Sequence, residues 1–306
     1  MRLIFIATGD IALPSFRHLI EHGPRPLALV TQPDKPVGRH QVLTPPAIKV
    51  EALAAGIPVY QPEKIGDITA ELAALEPELL VVMAYGQILR KNILTLASKA
   101  IINLHASILP KYRGAACIQA AIDAGDAETG ITAMHVVREL DAGDVILIKT
   151  LPIAPDETGG TLHDRLALLA PETLAETIAK LSDGTAARVP QDAAASSYVS
   201  KLERDDGRLD WTRDAASIER RIRAYDPWPG TFTIATEGGK EKRLKIFPPA
   251  TIADSDLDPG AIACEDGVLT VGCGKGALVL HTVQPDGGKR MSAVDYLRGR
   301  KPTSFE

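Results

Sequence analysis

Short apolar runs in the first third of the chain constrain its fold most. Leu3–Ala7 and Leu79–Met83 hold no polar residue at all, and Leu27–Thr31 holds one only at its end. A strand without a polar face is covered on both sides, which is the signature of a parallel sheet packed between helices. Helical patterns separate the runs. A turn at Thr8-Gly9-Asp10 leads into a helix-like stretch ending at His22-Gly23. Ile48–Ala55 is closed by Gly56, Pro58-Val59-Tyr60 reads as an edge strand, Ile68–Leu75 is helical, and Ile101–His105 is the next strand. The alternation predicts an α/β domain with a doubly wound, mostly parallel sheet.

The rhythm then changes. Gln119–Ala124 is helical. Gly130–Val137 and Val145–Ile153 read as strands flanking a hairpin turn, Leu140-Asp141-Ala142-Gly143, and Leu162–Leu181 is a long amphipathic helix. Ala186–Ser200 is small, polar and weakly periodic, as a linker is. A helix over Ala215–Ala224 and a stiff Asp226–Gly230 turn follow. Short strands at Phe232–Ala235, Arg243–Phe247, Gly267–Val271 and Leu278–Val283 then predict a small β-barrel-like domain. The expected organisation is a larger α/β domain over 1–185, a linker over 186–207 and a smaller domain over 208–306.

Charge bears on the partner. The chain carries 34 Lys and Arg against 39 Asp and Glu, a net of −5. Residues 1–200 hold 17 against 22, and residues 201–306 hold 17 against 17. A polyanion would therefore be met by local patches, because the whole-molecule field does not attract it. Cys117, Cys264 and Cys273 are too far apart for a disulfide framework or a CxxC metal site. They read as free thiols, with Cys264 and Cys273 buried. The N-terminal apolar run is far short of the roughly 20 residues that span a bilayer and lacks a cleavage site, so a reducing cytoplasm is expected.

The stretch INLHASILPKYRG, Ile102–Gly114, concentrates chemistry. Residues i and i+2 of a strand share a face, so Asn103 and His105 project together. They do so just before the Leu109-Pro110 break, and parallel sheets bind ligands at the carboxyl ends of their strands. An amide and an imidazole suit a developing oxyanion and a proton transfer; a hydrogen-bonded structural pair at a strand end is the other reading. Asp141, on a turn, is either a plain turn residue or a carboxylate that orients an imidazole and favours its protonated form. No nucleophile is evident, since Ser107 lacks a G-x-S-x-G elbow. Gly9 stands alone before Gly23, so a dinucleotide fingerprint and a Walker loop are both absent. His105, Cys117 and His135 form no metal-ligand pattern.

Thr31–Lys49 reads as a roughly 15-residue loop without structure of its own, with Lys35, Arg39, His40 and Lys49 along it. It is either a solvated connector or a phosphate-contacting loop. The basic runs Gly238–Lys245 and Gly287–Pro302 pose the same choice between a wet face and an extended anionic ligand such as RNA.

Taken together, INLHASILPKYRGAACIQ, AYGQIL (Ala84–Leu89), GDAETGIT (Gly125–Thr132), LDAGD (Leu140–Asp144), TQPDKPVGR (Thr31–Arg39), DPWPG (Asp226–Gly230) and MSAVDYL (Met291–Leu297) resemble, in order, the methionyl-tRNA formyltransferases. The N-x-H and LDxGD elements are shared with formyltransferases of ribotides and amino-sugar nucleotides. The TQPDKPVGR loop and the C-terminal module narrow the resemblance to the tRNA enzymes.

The resemblance implies a Rossmann-like sheet of formyltransferase type with an OB-like C-terminal tRNA-binding domain. It implies formyl transfer from 10-formyltetrahydrofolate to methionyl-initiator tRNA for translation initiation, by a cytoplasmic, metal-independent monomer with no membrane partner. By position, Asn103, His105 and Asp141 match the catalytic trio. Ser107, Ile108, Leu109 and Pro110 match the folate segment, Gln87, Ile88 and Leu89 the backbone groups that hold the pterin, and Lys35, Arg39 and His40 the tRNA loop. Ala7, Gly9, Arg90 and Cys117 depart from the family pattern without removing a catalytic group. The rivals are a sugar or ribotide formyltransferase, an RNA-binding protein without activity, and a dehydrogenase, the last disfavoured by the missing glycine fingerprint.

Overall fold

The computed structural model describes residues 1–306 apart from Arg39 and Asp266. Two compact units form. The first comprises Met1–Gly114, Thr129–Leu151 and His163–Val199; the second comprises Ala115–Glu128, Pro152–Leu162 and Ser200–Glu306.

Up to residue 199 the strands are β1 (Leu3–Ala7), β2 (Ala28–Val30), β3 (Lys35–Val37), β4 (Val42–Thr44), β5 (Val59–Tyr60), β6 (Leu79–Met83), β7 (Ala100–His105), β8 (Arg113–Gly114), β9 (Glu128–His135), β10 (Val145–Pro152) and β11 (Tyr198–Val199). The helices are α1 (Leu13–Glu21), α2 (Ala47–Ala54), α3 (Thr69–Ala74), α4 (Lys91–Leu94), α5 (Cys117–Ala124) and α6 (Gly159–Asp183). The main sheet runs β5-β2-β1-β6-β7-β9-β10. Strands β5, β2, β1, β6 and β7 are parallel neighbours, and β9 joins β7 antiparallel.

Every residue of β1 and β6 is buried. Ile4 and Ile6 enter a core with Val30, Leu72, Leu80 and Ile93. Phe5 points the other way and packs its ring on Phe16 of α1, 5.5 Å between centroids. Core on both faces is what the unbroken apolar runs predict, since alternate side chains of a strand point to opposite sides.

The stretch 31–49 is not structureless. Strands β3 and β4 form an antiparallel hairpin with Lys35 opposite Thr44 and Val37 opposite Val42. Lys35 and Thr44 each precede a proline, which drives them to extended backbone. Both strands are exposed along their whole length, so no apolar alternation marks them in the sequence. The polar stretch read as a linker is bonded to the first unit. Val189 exchanges backbone hydrogen bonds of 2.8 and 3.0 Å with Val145, and β11 runs parallel to β8.

In the second unit, α7 (Ala215–Ala224) is capped by Asp214, whose side chain accepts from the Ser217 amide at 2.8 Å. Arg221 of α7 donates to Asp123 of α5 at 2.8 Å. Strands β12 (Thr231–Glu237), β13 (Lys240–Ala253), β14 (Ile262–Glu265), β15 (Val268–Gly272), β16 (Ala277–Pro285), β17 (Met291–Ser292) and β18 (Pro302–Phe305), with α8 (Ala293–Gly299), complete it. The order β14-β15-β16-β13-β12-β18 closes on itself through an antiparallel bridge between Ala261 and Ser304. A nearly closed barrel results, filled by Trp211, Ile222, Leu244, Val271, Tyr296 and Phe305. All three cysteines are free. Cys117 and Cys273 are buried, but Cys264 is exposed, contrary to expectation, because it lies on the outer strand β14.

One side chain ties β9 to the chain after β7. Thr132 is fully buried; its hydroxyl donates to the Ser107 carbonyl at 2.6 Å and accepts from the Leu109 amide at 3.2 Å. Thr132→Val keeps the shape and leaves both groups unpaired, so it should destabilise the chain by about 1–3 kcal/mol. Urea unfolding with an unchanged slope and a lower midpoint is the expected result.

Candidate active site

Strand β7 carries Asn103 and His105 on one face, with Ile102 and Leu104 buried on the other. It is also where the sheet changes direction, parallel to β6 on one side and antiparallel to β9 on the other. Asn103 is paired in register with Val82 of β6 and Met134 of β9.

The turn between β9 and β10 brings Asp141 to this pair. Its Oδ1 accepts from Asn103 Nδ2 at 3.3 Å, its Oδ2 accepts from the Gly114 amide at 2.8 Å, and Oδ2 lies 3.6 Å from His105 Nδ1. The two side chains of the ion pair are 7% and 11% exposed, so solvent screens their charges little. On the other side of the ring, Nε2 lies 2.9 Å from the Tyr112 carbonyl. A carbonyl only accepts, so Nε2 carries the hydrogen. A carbonyl oxygen thus faces one ring nitrogen and a carboxylate the other.

The backbone that delivers these groups is unusual. Asp141 and Tyr112 sit at φ of +50° and +59°, a left-handed conformation that costs a non-glycine residue about 1 kcal/mol or more. Gly114 has φ +106°, and an added Cβ would collide with the Val199 carbonyl where β8 meets β11. At Gly143 a Cβ would overlap the His135 carbonyl, so the Asp141 turn can fold against the end of β9 only with glycine there.

The residues expected to hold folate divide in two. Ser107 and Leu109 are buried in the scaffold, Ser107 Oγ donating to the Lys111 carbonyl at 2.7 Å, while Ile108 and Pro110 are half-buried. Gln87 is anchored, its Oε1 accepting from the Ile65 amide and its Nε2 donating to the Glu63 carbonyl, both at 3.0 Å. Ile88 is exposed and Leu89 buried. Ala84–Leu89 leaves the carboxyl end of β6, beside the end of β7, and the β3–β4 hairpin leaves the carboxyl end of β2. Asn103, His105, the 107–110 segment, Ala84–Leu89 and the hairpin thus lie at or leave the carboxyl ends of parallel strands, where such sheets bind ligands. Asp141 reaches the pair from the turn after the antiparallel β9.

On the hairpin, Lys35 and His40 are exposed, and Arg39 lies outside the described residues. Lys49 is not available to a polyanion. Its Nζ donates to both oxygens of Asp34 at 2.8 Å, and Gln61 donates to the same carboxylate at 2.7 Å. Bonding from Gln61, then Lys49, holds the Asp34 carboxyl below its usual range. Several basic residues of the second unit are likewise paired. Lys242 and Arg300 share Glu237 at 3.1 and 2.9 Å, and Arg298 reaches Asp295 at 2.8 Å. Lys240, Lys245, Lys289 and Lys301 are exposed.

His135 is buried, and its ring is held below the ordinary histidine range by desolvation and by Arg188, with Asp144 pulling the other way. Among the described residues no three His, Cys, Asp or Glu side chains gather as a metal site requires. Sequence reasoning missed Tyr112, whose carbonyl holds the imidazole, Gly114, whose amide holds the carboxylate, and Gln191, whose side-chain amide donates to the Asp141 and Gly143 carbonyls. The R-G pair after the tyrosine was the one available signal, since glycine beside a polar site marks a close backbone approach.

The chain matches the formyl transferase family over residues 1–178 and the formyl transferase C-terminal domain over residues 201–301. It is 52% identical over 305 residues to the methionyl-tRNA formyltransferase of Akkermansia muciniphila, covering 98% of this chain and 96% of that one. The methionyl-tRNA formyltransferase of Geobacter metallireducens is 43% identical over 301 residues, with 98% and 96% covered. In fold it is similar to an N-formyltransferase from Helicobacter canadensis, solved with folinic acid and dTDP-3-aminofucose, at TM-score 0.69 and 16% identity, covering 95% of this chain and 100% of that one. With relatives this alike along nearly its whole length, the chain belongs to the methionyl-tRNA formyltransferase family.

Proposed function

We propose that the chain transfers the formyl group of 10-formyltetrahydrofolate to the α-amino group of methionine carried by initiator tRNA, and that Asn103, His105 and Asp141 carry the chemistry. The observation that supports those roles is the convergence of an amide and an imidazole from β7 with a carboxylate from the β9–β10 turn.

The amine must be neutral to attack; a peptide α-amino group titrates at roughly 7.7–8.0, and an ester neighbour lowers this. Its nitrogen adds to the formyl carbon, and the carbonyl oxygen gains the negative charge. Asn103 has a second amide hydrogen beyond the one facing Asp141, and it donates this to the oxyanion. His105 places positive charge beside the site and donates from Nε2 by exchanging the Tyr112 carbonyl for the oxyanion. Asp141, directly or through a water, accepts the proton lost by the attacking nitrogen. Collapse breaks the bond from the formyl carbon to N10 of the folate, which takes up a proton, giving the formamide and tetrahydrofolate. No covalent enzyme intermediate is needed, in keeping with the lack of a nucleophile in the trio.

Lys35, Arg39 and His40 are assigned to the tRNA backbone, Gln87–Leu89 and Ser107–Pro110 to the folate. For Ser107 and Leu109 this means shaping the segment from within. The working form is a cytoplasmic monomer with no membrane contact, 1–185 catalytic, 186–207 connecting and 208–306 binding tRNA.

Incubating the protein with 10-formyltetrahydrofolate and methionyl-initiator tRNA, methionyl-elongator tRNA or an amino-sugar nucleotide should give formylation of the first alone. Preference for the sugar nucleotide would overturn the assignment. Asn103→Ala and His105→Ala should each lower kcat by about 10²- to 10³-fold while folate affinity changes little. Single-turnover formylation with folate titration measures both. Lys35→Ala and Arg39→Ala should raise KM for tRNA and each lessen the slope of log affinity against log salt by about 1. An unaltered slope would remove that residue from tRNA contact.

A further inference from the structure

Residues 189–199 touch both stretches that hold the trio in place, and one side chain joins the two. Gln191 donates from Nε2 to the Asp141 carbonyl at 2.9 Å and to the Gly143 carbonyl at 2.7 Å. Its Oε1 accepts from Arg113 Nε at 3.1 Å and Nη2 at 2.8 Å. Both amide hydrogens and the amide oxygen are therefore engaged. On one side lies the left-handed turn that carries the Asp141 carboxylate. On the other lies the segment that supplies the Tyr112 carbonyl to His105 and the Gly114 amide to Asp141.

Arg113 is 5% exposed, and its third nitrogen donates to the Tyr198 hydroxyl at 2.9 Å. The same strap fixes the backbone around it. The Tyr112 amide donates to Ser197 Oγ and the Arg113 amide to the Ser197 carbonyl, both at 2.8 Å. Only an amide side chain can donate to two carbonyls while accepting from a guanidinium. Glutamate would face those carbonyls with negative oxygen, and methionine would offer no hydrogen.

We propose that Gln191 is a positioning residue for formyl transfer, setting where the Asp141 carboxylate stands relative to Asn103 and His105. The inference rests on the functional reading above and gives the 186–200 stretch a part in the reaction beyond connecting the chain.

The test uses full-length Gln191→Met and Gln191→Glu, of nearly native volume, assayed beside the parent with methionyl-initiator tRNA and 10-formyltetrahydrofolate. In the Met variant kcat should fall about 10- to 100-fold, the scale of a small misplacement of catalytic groups, with both KM values little changed. The Glu variant should fall at least as far, although it still accepts from Arg113. In an Asp141→Asn background, single-turnover rates should show Gln191→Met costing no more than about twofold, because the group it places is gone. An undiminished loss in that background, a loss confined to KM, or a kcat like the parent's would overturn the inference. A parent without turnover would overturn the functional reading instead, and this proposal with it.

Discussion

The Asp141 carboxylate accepts from the Gly114 amide and the Asn103 side chain and faces the His105 ring, and each of these partners comes from a stretch of chain remote from its own turn. A largely covered carboxylate left without donors would be costly, so its position is fixed by the groups that surround it. The same contacts orient the imidazole from one side, while the Tyr112 carbonyl does so from the other. The placement of all three side chains thus depends on one cluster of polar contacts.

The sheet makes that cluster affordable to the fold. Strand β7 is fixed in register by β6 and β9, so Asn103 and His105 start from a rigid element and not from a loop. Thr132 pins the chain just beyond it. The more strained pieces, Tyr112 and Asp141 in the left-handed region, sit in turns held by bonds to regular strands and to the 189–199 strap. Local strain persists only where surrounding structure over-determines it.

Electrostatics divides the labour differently from a simple count of basic residues. Lys49 is neutralised by Asp34, and Lys242 and Arg300 are paired to Glu237. Lys35 and His40 on the hairpin and Lys240, Lys245, Lys289 and Lys301 in the second unit are among the residues that stay open to an anionic partner. For a chain of net charge −5, patches of this kind are the route by which an RNA backbone can be met.

The sequence by itself determined the parallel sheet, through apolar runs with no wet face, and placed Asn103 and His105 together, through the two-residue period of a strand. The helix over Ala215–Ala224 was legible because its cap and its apolar spacing are local signals. Tertiary structure alone decided that Asp141 meets Asn103 across 38 residues and that Gln191 meets Asp141 across 50. It also decided that Lys49 is spoken for and Cys264 exposed, and that the proline-rich loop is a hairpin. The reason is the range of the forces. Periodicity and capping act within a few residues and leave a pattern in the chain, whereas a hydrogen bond between distant segments leaves none until the backbone has brought its two ends together.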